Sequence, residues 1–263
     1  GWATPQTYDN VGDFFKTGFT QNSTFNISQR KNDVSYSFSV SDTYQKGVIP
    51  STGMTRTGAR GAVDWKVNDQ WKTGFSANYS AVKIKSAPGA NSGIVNVVYS
   101  APAEYDLKGT PYHKPGDPTS QILFRATNFN NPYWWADNDE YSQHTNRVFG
   151  NAYAEFSPKL NWGKNYKIVF REQAGIDMYT SNDSEIYTSN NATIAEIGSA
   201  YNKKGEVENY GAQNNIFNNL LTANFTAKWG ANEEWDFGFV LGNEFNHQYR
   251  RKWDYDGTGL AFY

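Results

Sequence analysis

The chain has 263 residues, a net charge of −2 and no cysteine, which removes disulfide frameworks and thiolate metal sites and leaves no basic stripe for a nucleic-acid partner. Hydrophobic residues make up 38% and aromatics 17%, so the apolar surface rests on rings more than on Leu, Ile and Val. Mean hydropathy is −0.74 and no apolar run approaches the roughly 18 residues of a membrane helix; a membrane barrel, however, hides its signal in alternation and stays polar on average.

Residues 1–13 form a lead-in. Gly1-Trp2-Ala3-Thr4-Pro5 has neither the basic region nor the apolar core of a signal peptide. The last residues, Gly259 to Tyr263, stop without a cap. The chain is expected to be a piece of something longer. A first hairpin spans 14–45. Val34-Ser35-Tyr36-Ser37-Phe38-Ser39-Val40-Ser41 alternates large apolar residues with serines, a period of two that puts them on opposite faces of a strand. Phe19, Phe25 and Ile27 do the same against Thr20, Asn22, Thr24, Asn26 and Ser28. These strands run to about 14 residues, where about 5–6 is usual. Arg30 to Asp33 make the turn, and Lys46 to Gly53 a loop with Gly and Pro as breakers.

A second hairpin spans 54–84. Thr55, Thr57, Ala59, Gly61, Val63, Trp65 and Val67 share one face, and Met54, Arg56, Gly58, Arg60, Asp64 and Lys66 the other. Residues 85–142 are a long excursion. Ile94, Val97, Val98 and Ala101 predict a short helix within it, and Pro102, Pro111, Pro115 and Pro118 are expected to forbid strand pairing nearby. Asn130 to Trp135 and the acidic Asp137-Asn138-Asp139-Glu140 read as loop. A third hairpin covers 144–180; within it Glu172 falls on the apolar face, which predicts either a bulge or a slip of face. A second excursion covers 181–212, with a helical turn near Thr193–Ala200. A fourth hairpin covers 213–249, and Arg250 to Tyr263 read as the start of another loop.

Three regularities coincide. Short turns alternate with long loops, as in an outer-membrane barrel. Trp65, Trp71, Trp162, Trp229 and Trp235 crowd the short turns, where a ring of tryptophans marks the membrane–water boundary. The face opposite the aromatic one is Ser, Asn, Arg and Asp, which a wet lumen tolerates and a protein core does not. A soluble β-sandwich or propeller, a secreted glycan-binding or glycan-hydrolysing β-domain, and a small self-closed barrel are the alternatives.

The sequence resembles the SusC/RagA-type TonB-dependent outer-membrane transporters over nearly its whole length. The likeness rests on Asp13-Phe14-Phe15-Lys16-Thr17-Gly18-Phe19-Thr20-Gln21-Asn22, on Val34 to Ser39, and on Gln45-Lys46-Gly47-Val48-Ile49-Pro50, which match an early barrel strand, the next strand and the loop after it. Asn131-Pro132-Tyr133-Trp134 resembles a segment of the family's long extracellular loop. Arg30 to Asp33 depart from the glycine-rich turn expected before the second strand. The resemblance implies an all-β fold, here an antiparallel transmembrane β-barrel segment of about eight long strands belonging to a plugged barrel of about 22. It implies residence in the Gram-negative outer membrane and import of oligosaccharides, peptides or related nutrients. The implied partners are outer-membrane lipid, a SusD-like surface lipoprotein, the remainder of the barrel, and TonB acting through a plug that residues 1–263 do not contain.

Candidate sites follow. Tyr133, Trp134 and Trp135 either contact substrate or the lipoprotein lid, or pack the long loop. Asp137, with Asp139 and Glu140, offers hard oxygen ligands for calcium or forms a solvated acidic loop. Arg56, Arg60, Asp64 and Lys66 face the lumen, where they line a solute path or hold a plug. Trp65, Trp71, Trp162, Trp229 and Trp235 sit at the membrane interface. The three histidines are too dispersed for a metal, and no P-loop, HExxH or nucleophile elbow appears; no catalytic residue, metal or cofactor is expected.

Overall fold

Alternating sequences became paired strands in a computed structural model that describes residues 6–87, 93–123, 129–160, 165–189, 205–230 and 234–259. Helix α1 (Asn10–Phe14) leads into β1 (Phe19–Lys31) and β2 (Val34–Lys46), then β3 (Gly53–Lys66) and β4 (Trp71–Ser86). A loop mass follows, made of α2 (Ile94–Tyr99), β5 (His113–Lys114), β6 (Asp117–Gln121) and α3 (Pro132–Asn138). The chain returns to the sheet as β7 (Glu140–Phe156), β8 (Tyr166–Tyr187), β9 (Glu206–Trp229) and β10 (Trp235–Thr258).

The large sheet has eight strands in the order β1-β2-β3-β4-β7-β8-β9-β10, every neighbouring pair antiparallel. It is a simple meander. Its two longest connections, β4 to β7 and β8 to β9, fall at the same end, together with the loop between β2 and β3, and the four hairpin turns fall at the other. β1 and β10 are the outermost strands of this order and do not pair with each other, so the eight strands do not close a small barrel by themselves.

Register decides what alternation along single strands leaves open. Phe25 pairs with Val40, Val40 with Ala59, Ala59 with Tyr79, Tyr79 with Val148, and Val148 with Met178. One apolar face therefore runs from β1 to β8 along this row, which meets Asn215 on β9. The reverse face runs Asn26, Ser39, Arg60, Asn78, Phe149, Asp177. The apolar face is bare: Phe25 is 60% exposed and Phe239 55%. Among the described residues the only other sheet is the two-stranded β5-β6 pair, so no second sheet covers it.

The buried core lies instead in the loop mass and the lead-in. Phe14, Ile94, Val98, Leu107, Trp134 and Trp135 form it. Asp9 caps α1 by accepting from the Gly12 N–H at 2.9 Å. Asn10 then ties the lead-in to the loop: its amide donates to the Pro102 and Tyr105 carbonyls, and its Oδ1 accepts from the Leu107 N–H. Asn10→Leu, keeping volume but removing all three bonds, should destabilise this unit by about 1–3 kcal/mol, read as faster amide exchange across residues 94–107 with the large sheet unchanged.

Several expectations change. Phe14 belongs to a buried helix turn, not to the first strand. Prolines do not prevent pairing in the long loop: Pro118 lies inside β6 but in the register shift between the Lys114–Asp117 and His113–Gln121 pairs, where its absent N–H breaks no rung of the ladder. Asn130 to Trp135 is not wholly loop, since Asn131 caps α3 by accepting from the Tyr133 N–H, with Pro132 in the first turn where its absent N–H has no partner to lose. The last two hairpins are longer than expected. β8 runs to Tyr187 and β9 starts at Glu206, because pairing with long neighbours holds polar residues in strand conformation; β10 continues through Arg250 to Thr258, where Trp253 and Tyr255 alternate with charged residues. The expected helical turn near Thr193–Ala200 lies outside the described residues.

Candidate functional site

On β3, residues 56, 60, 64 and 66 share a parity, so Arg56, Arg60, Asp64 and Lys66 all stand on the polar face of the sheet. They do not act as one group. Asp64 accepts from the Tyr153 hydroxyl at 2.8 Å. Lys66, the last residue of the strand, turns to Asp69 in the adjoining turn at 2.8 Å. Arg56 sits between Thr43 and Val82, and Arg60 between Ser39 and Asn78; neither has an ion pair among the described residues.

A larger network on this face runs across four strands. Glu155 of β7 lies 3.4 Å from Lys72 of β4 and 3.7 Å from Arg171 of β8. The Arg171 guanidinium sits 4.1 Å over the Tyr153 ring, and Tyr153 passes the chain on to Asp64 of β3. Gly74 makes the room, since a Cβ there would stand 2.6 Å from both the Asp64 carboxylate and the Tyr153 ring. Higher on the same face, Arg147 grips Asp177 with two bonds of 2.8 and 2.5 Å and lies 4.7 Å over Phe149. The pair is half exposed, so a double-mutant cycle with Arg147→Met and Asp177→Asn should return a coupling below about 1 kcal/mol.

Nearer the long-loop end, the polar face of β7 to β10 holds a cavity of about 690 Å³ lined by Gln143, Tyr179, Asp183, Glu208, Tyr210, Lys252 and Asp254 among others. Beside it Glu185 accepts from the Tyr187 and Tyr210 hydroxyls at 2.7 and 3.0 Å, and Tyr141 and Tyr210 share a hydrogen bond of 2.7 Å. Sequence reasoning missed both assemblies. Alternation gives the face of each residue but not which strand neighbour it meets. For the Glu155–Arg171 pair one signal was present: both lie close to the turn joining their strands.

The loop candidates divide by burial. Trp134 is fully buried and donates through Nε1 to the Pro118 carbonyl at 3.1 Å; Trp135 is 2% exposed. Both occupy the loop core, where packing is their role in this conformation. Tyr133 packs on Phe14 and Tyr112. Asp137 accepts from the Tyr112 hydroxyl at 2.7 Å, and that bond together with burial pushes the Tyr112 pKa above the ordinary tyrosine value. The acidic trio diverges: Asp139 accepts from the Thr188 N–H, and Glu140 lies 3.3 Å from Lys85. Among the described residues no group of His, Cys, Asp or Glu is arranged to hold a metal ion.

At the short-turn end, Trp65, Trp71, Trp229 and Trp235 are exposed on the apolar face. The Trp229 indole N–H donates to Tyr166 at 3.1 Å, and the Trp71 ring lies 4.6 Å from that of Phe156. Trp162 lies outside the described residues.

No protein-family model matches the sequence. A TonB-dependent receptor, P26, from Formosa agariphila is 23% identical over 203 residues, which is 74% of this chain and 18% of the receptor. The solved RagAB peptide importer in its closed-closed state superposes with a TM-score of 0.73 at 19% identity, over 97% of this chain and 27% of the solved one. Its open-open state gives 0.70 at 16% identity with the same coverage. The chain thus spans about a fifth of the curated relative and about a quarter of the solved ones. Its all-β architecture is the fold of a segment of these RagAB chains, and by sequence and structure together it resembles part of a SusC/RagA-type TonB-dependent receptor.

Proposed function

We propose that residues 1–263 form part of the barrel wall of an outer-membrane, TonB-dependent nutrient importer. One observation carries this reading: an eight-stranded sheet keeps a mainly aromatic and aliphatic face uncovered while its reverse is mainly hydroxyls, amides and charges. In water such a face is a severe liability; against lipid tails it is the required surface. The polar face then borders the lumen. There Arg56 and Arg60 are cations placed to meet a solute or a plug, and the Lys72–Glu155–Arg171–Tyr153–Asp64 chain braces the wall near the periplasmic turns. The exposed tryptophans mark the periplasmic boundary of the hydrocarbon layer.

The rest of the machine lies in the remainder of such a protein: the other strands, a plug within the lumen, and TonB pulling on that plug. A SusD-like surface lipoprotein would sit over the long-loop end, on the mass built around Trp134 and Trp135. The solved relatives are described as peptide importers, which makes peptides the first substrate class to test and oligosaccharides the second. The wall itself performs no chemistry.

Single cysteines placed along β2 of the full-length protein in intact outer membranes test the reading. Ser35, Ser37 and Ser39 should react with a small water-soluble maleimide, and Tyr36, Phe38 and Val40 should be shielded. Equal reaction on both faces would remove the membrane assignment.

A further inference from the structure

We infer that the membrane-facing side of β2, β3, β4 and β7 holds a groove for the phosphorylated sugar headgroup of an outer-leaflet glycolipid; the inference rests on the membrane reading above. The groove is a cavity of about 330 Å³ at the long-loop end, lined by Tyr44, Lys46, Thr55, Lys83, Lys85 and His144 among others. By parity these six stand on the face that carries Val40, Ala59, Tyr79 and Val148 lower down. Two rows build it. Tyr44, Thr55, Lys83 and His144 are level, and so are Lys46, Gly53, Lys85 and Ser142. Thr55 and Gly53 are small, so β3 is the floor and the longer side chains of β2 and β4 are the walls. Lys46 and Lys85 are two strands apart, about 10 Å, a gap that two four-carbon stems close over one phosphate.

Height selects the occupant. Lys83 is twelve residues along β4 from the boundary tryptophan Trp71. At about 3.3 Å per residue and a usual strand tilt, that is roughly 30 Å above it. The apolar band is about 25 Å tall, so the lysines stand just past its outer edge, at the level of the headgroups. The strands change in the same order as a lipid does. Val40, Ala59, Tyr79 and Val148 meet acyl chains; Asp42, Thr57, Ala81 and Asn146 form the next polar level; the lysines lie beyond them.

Charge agrees with height. Lys46 and Lys83 form no ion pair among the described residues, and Lys85 lies 3.3 Å from Glu140, which also lines the groove. Asp42, below them, accepts from the Thr57 hydroxyl at 2.9 Å. Three lysines against one carboxylate leave the groove cationic, and basic pockets at this level take anionic headgroups. The charge does not continue onto β8, where Asn182 and Ser184 stand opposite His144 and Ser142. The hydroxyls of Tyr44, Thr55 and Ser142 suit a sugar, and the volume is at the lower end of the roughly 300–1,000 Å³ of small-molecule sites.

Native mass spectrometry of the full-length protein in detergent, titrated with diphosphoryl lipid A, tests the site. The parent should bind this lipid. Removing both phosphates from the lipid, or combining Lys46→Gln with Lys83→Gln, should weaken binding by about tenfold or more. Lys46→Arg with Lys83→Arg should retain it. Lys31→Gln, on the same face at the short-turn end, should leave it unchanged. Every variant is compared at full heat-resistant gel migration, which reports a folded barrel. Unchanged binding in the glutamine pair overturns the inference. Inorganic phosphate binding as tightly as lipid A would make this a free-anion site and overturn the lipid assignment, as would loss of a co-purifying protein from the glutamine pair with lipid binding intact. These outcomes leave the membrane reading standing; labelling of Phe38→Cys by a water-soluble maleimide in intact outer membranes overturns that reading and this inference with it.

Discussion

Arginine at Ala152 should destabilise the membrane-embedded protein by about 2–4 kcal/mol, whereas arginine at Asn151, one residue earlier, should shift stability by less than about 1 kcal/mol. The two positions are adjacent in β7, both are exposed, and both substitutions add the same charge. Only the face differs. Ala152 lies in the row Val63, Phe75, Ala152, Ala174; the nearest polar group on that side, Glu172, stands opposite Ala154 and already accepts from Asn219. Asn151 faces Ser76 and Gly175 across its two strand neighbours, on the side that carries Arg147 and Asp177. Urea unfolding of the full-length protein folded into lipid vesicles measures both costs. Equal costs would mean that neither face is lipid-facing, and a larger cost at Asn151 would mean the sides are exchanged.

Trp134→Ala should be the most damaging single change in the loop mass, at about 3–5 kcal/mol. The ring is wholly buried among Phe14, Ile94, Val98 and Leu107, so its removal leaves a cavity at the point where the lead-in, α2 and α3 converge. It also strands the Pro118 carbonyl that the indole N–H satisfies. The loss is local, because the large sheet is held by its own ladder. Limited proteolysis should therefore cut the variant within residues 93–123 much faster than the parent, while heat-resistant barrel migration on a gel is retained. Equal loss of both would show that loop mass and wall fold as one unit.

These two experiments fall on the two parts of the molecule that differed most in legibility. The wall was readable because a strand's side-chain period is an integer: serines at 35, 37 and 39 against Tyr36, Phe38 and Val40 leave one choice of face. Strand ends were less readable. β9 starts at Glu206, in a stretch to Tyr210 with no strict alternation, where its neighbours' backbone groups keep it extended; β10 continues through Lys252 to Asp256, where Trp253 and Tyr255 do alternate with charged residues, a strand signal that the loop expectation passed over. The loop mass was least readable. Ile94, Val97 and Val98 announced α2, but the core of that region also needs Phe14, about 80 residues earlier, and Trp134, well after it. No local pattern links these. Glu172 belongs to the same class: sequence could flag the broken alternation, but only register told a bulge from a polar group held on the apolar face.

The strands are unequal, and register says where the surplus lies. β1 and β2 have 13 residues each, β9 and β10 have 24. Followed from strand to strand, Phe19 is level with Asn209 and Lys31 with Leu221, so β9 runs three residues past β1 at the long-loop end and eight past it at the short-turn end. A stagger of this kind is what closing a sheet into a barrel demands, because only leaning strands bring staggered turns back to one level. The drift of register across the sheet is thus the tilt these strands would take in a complete wall.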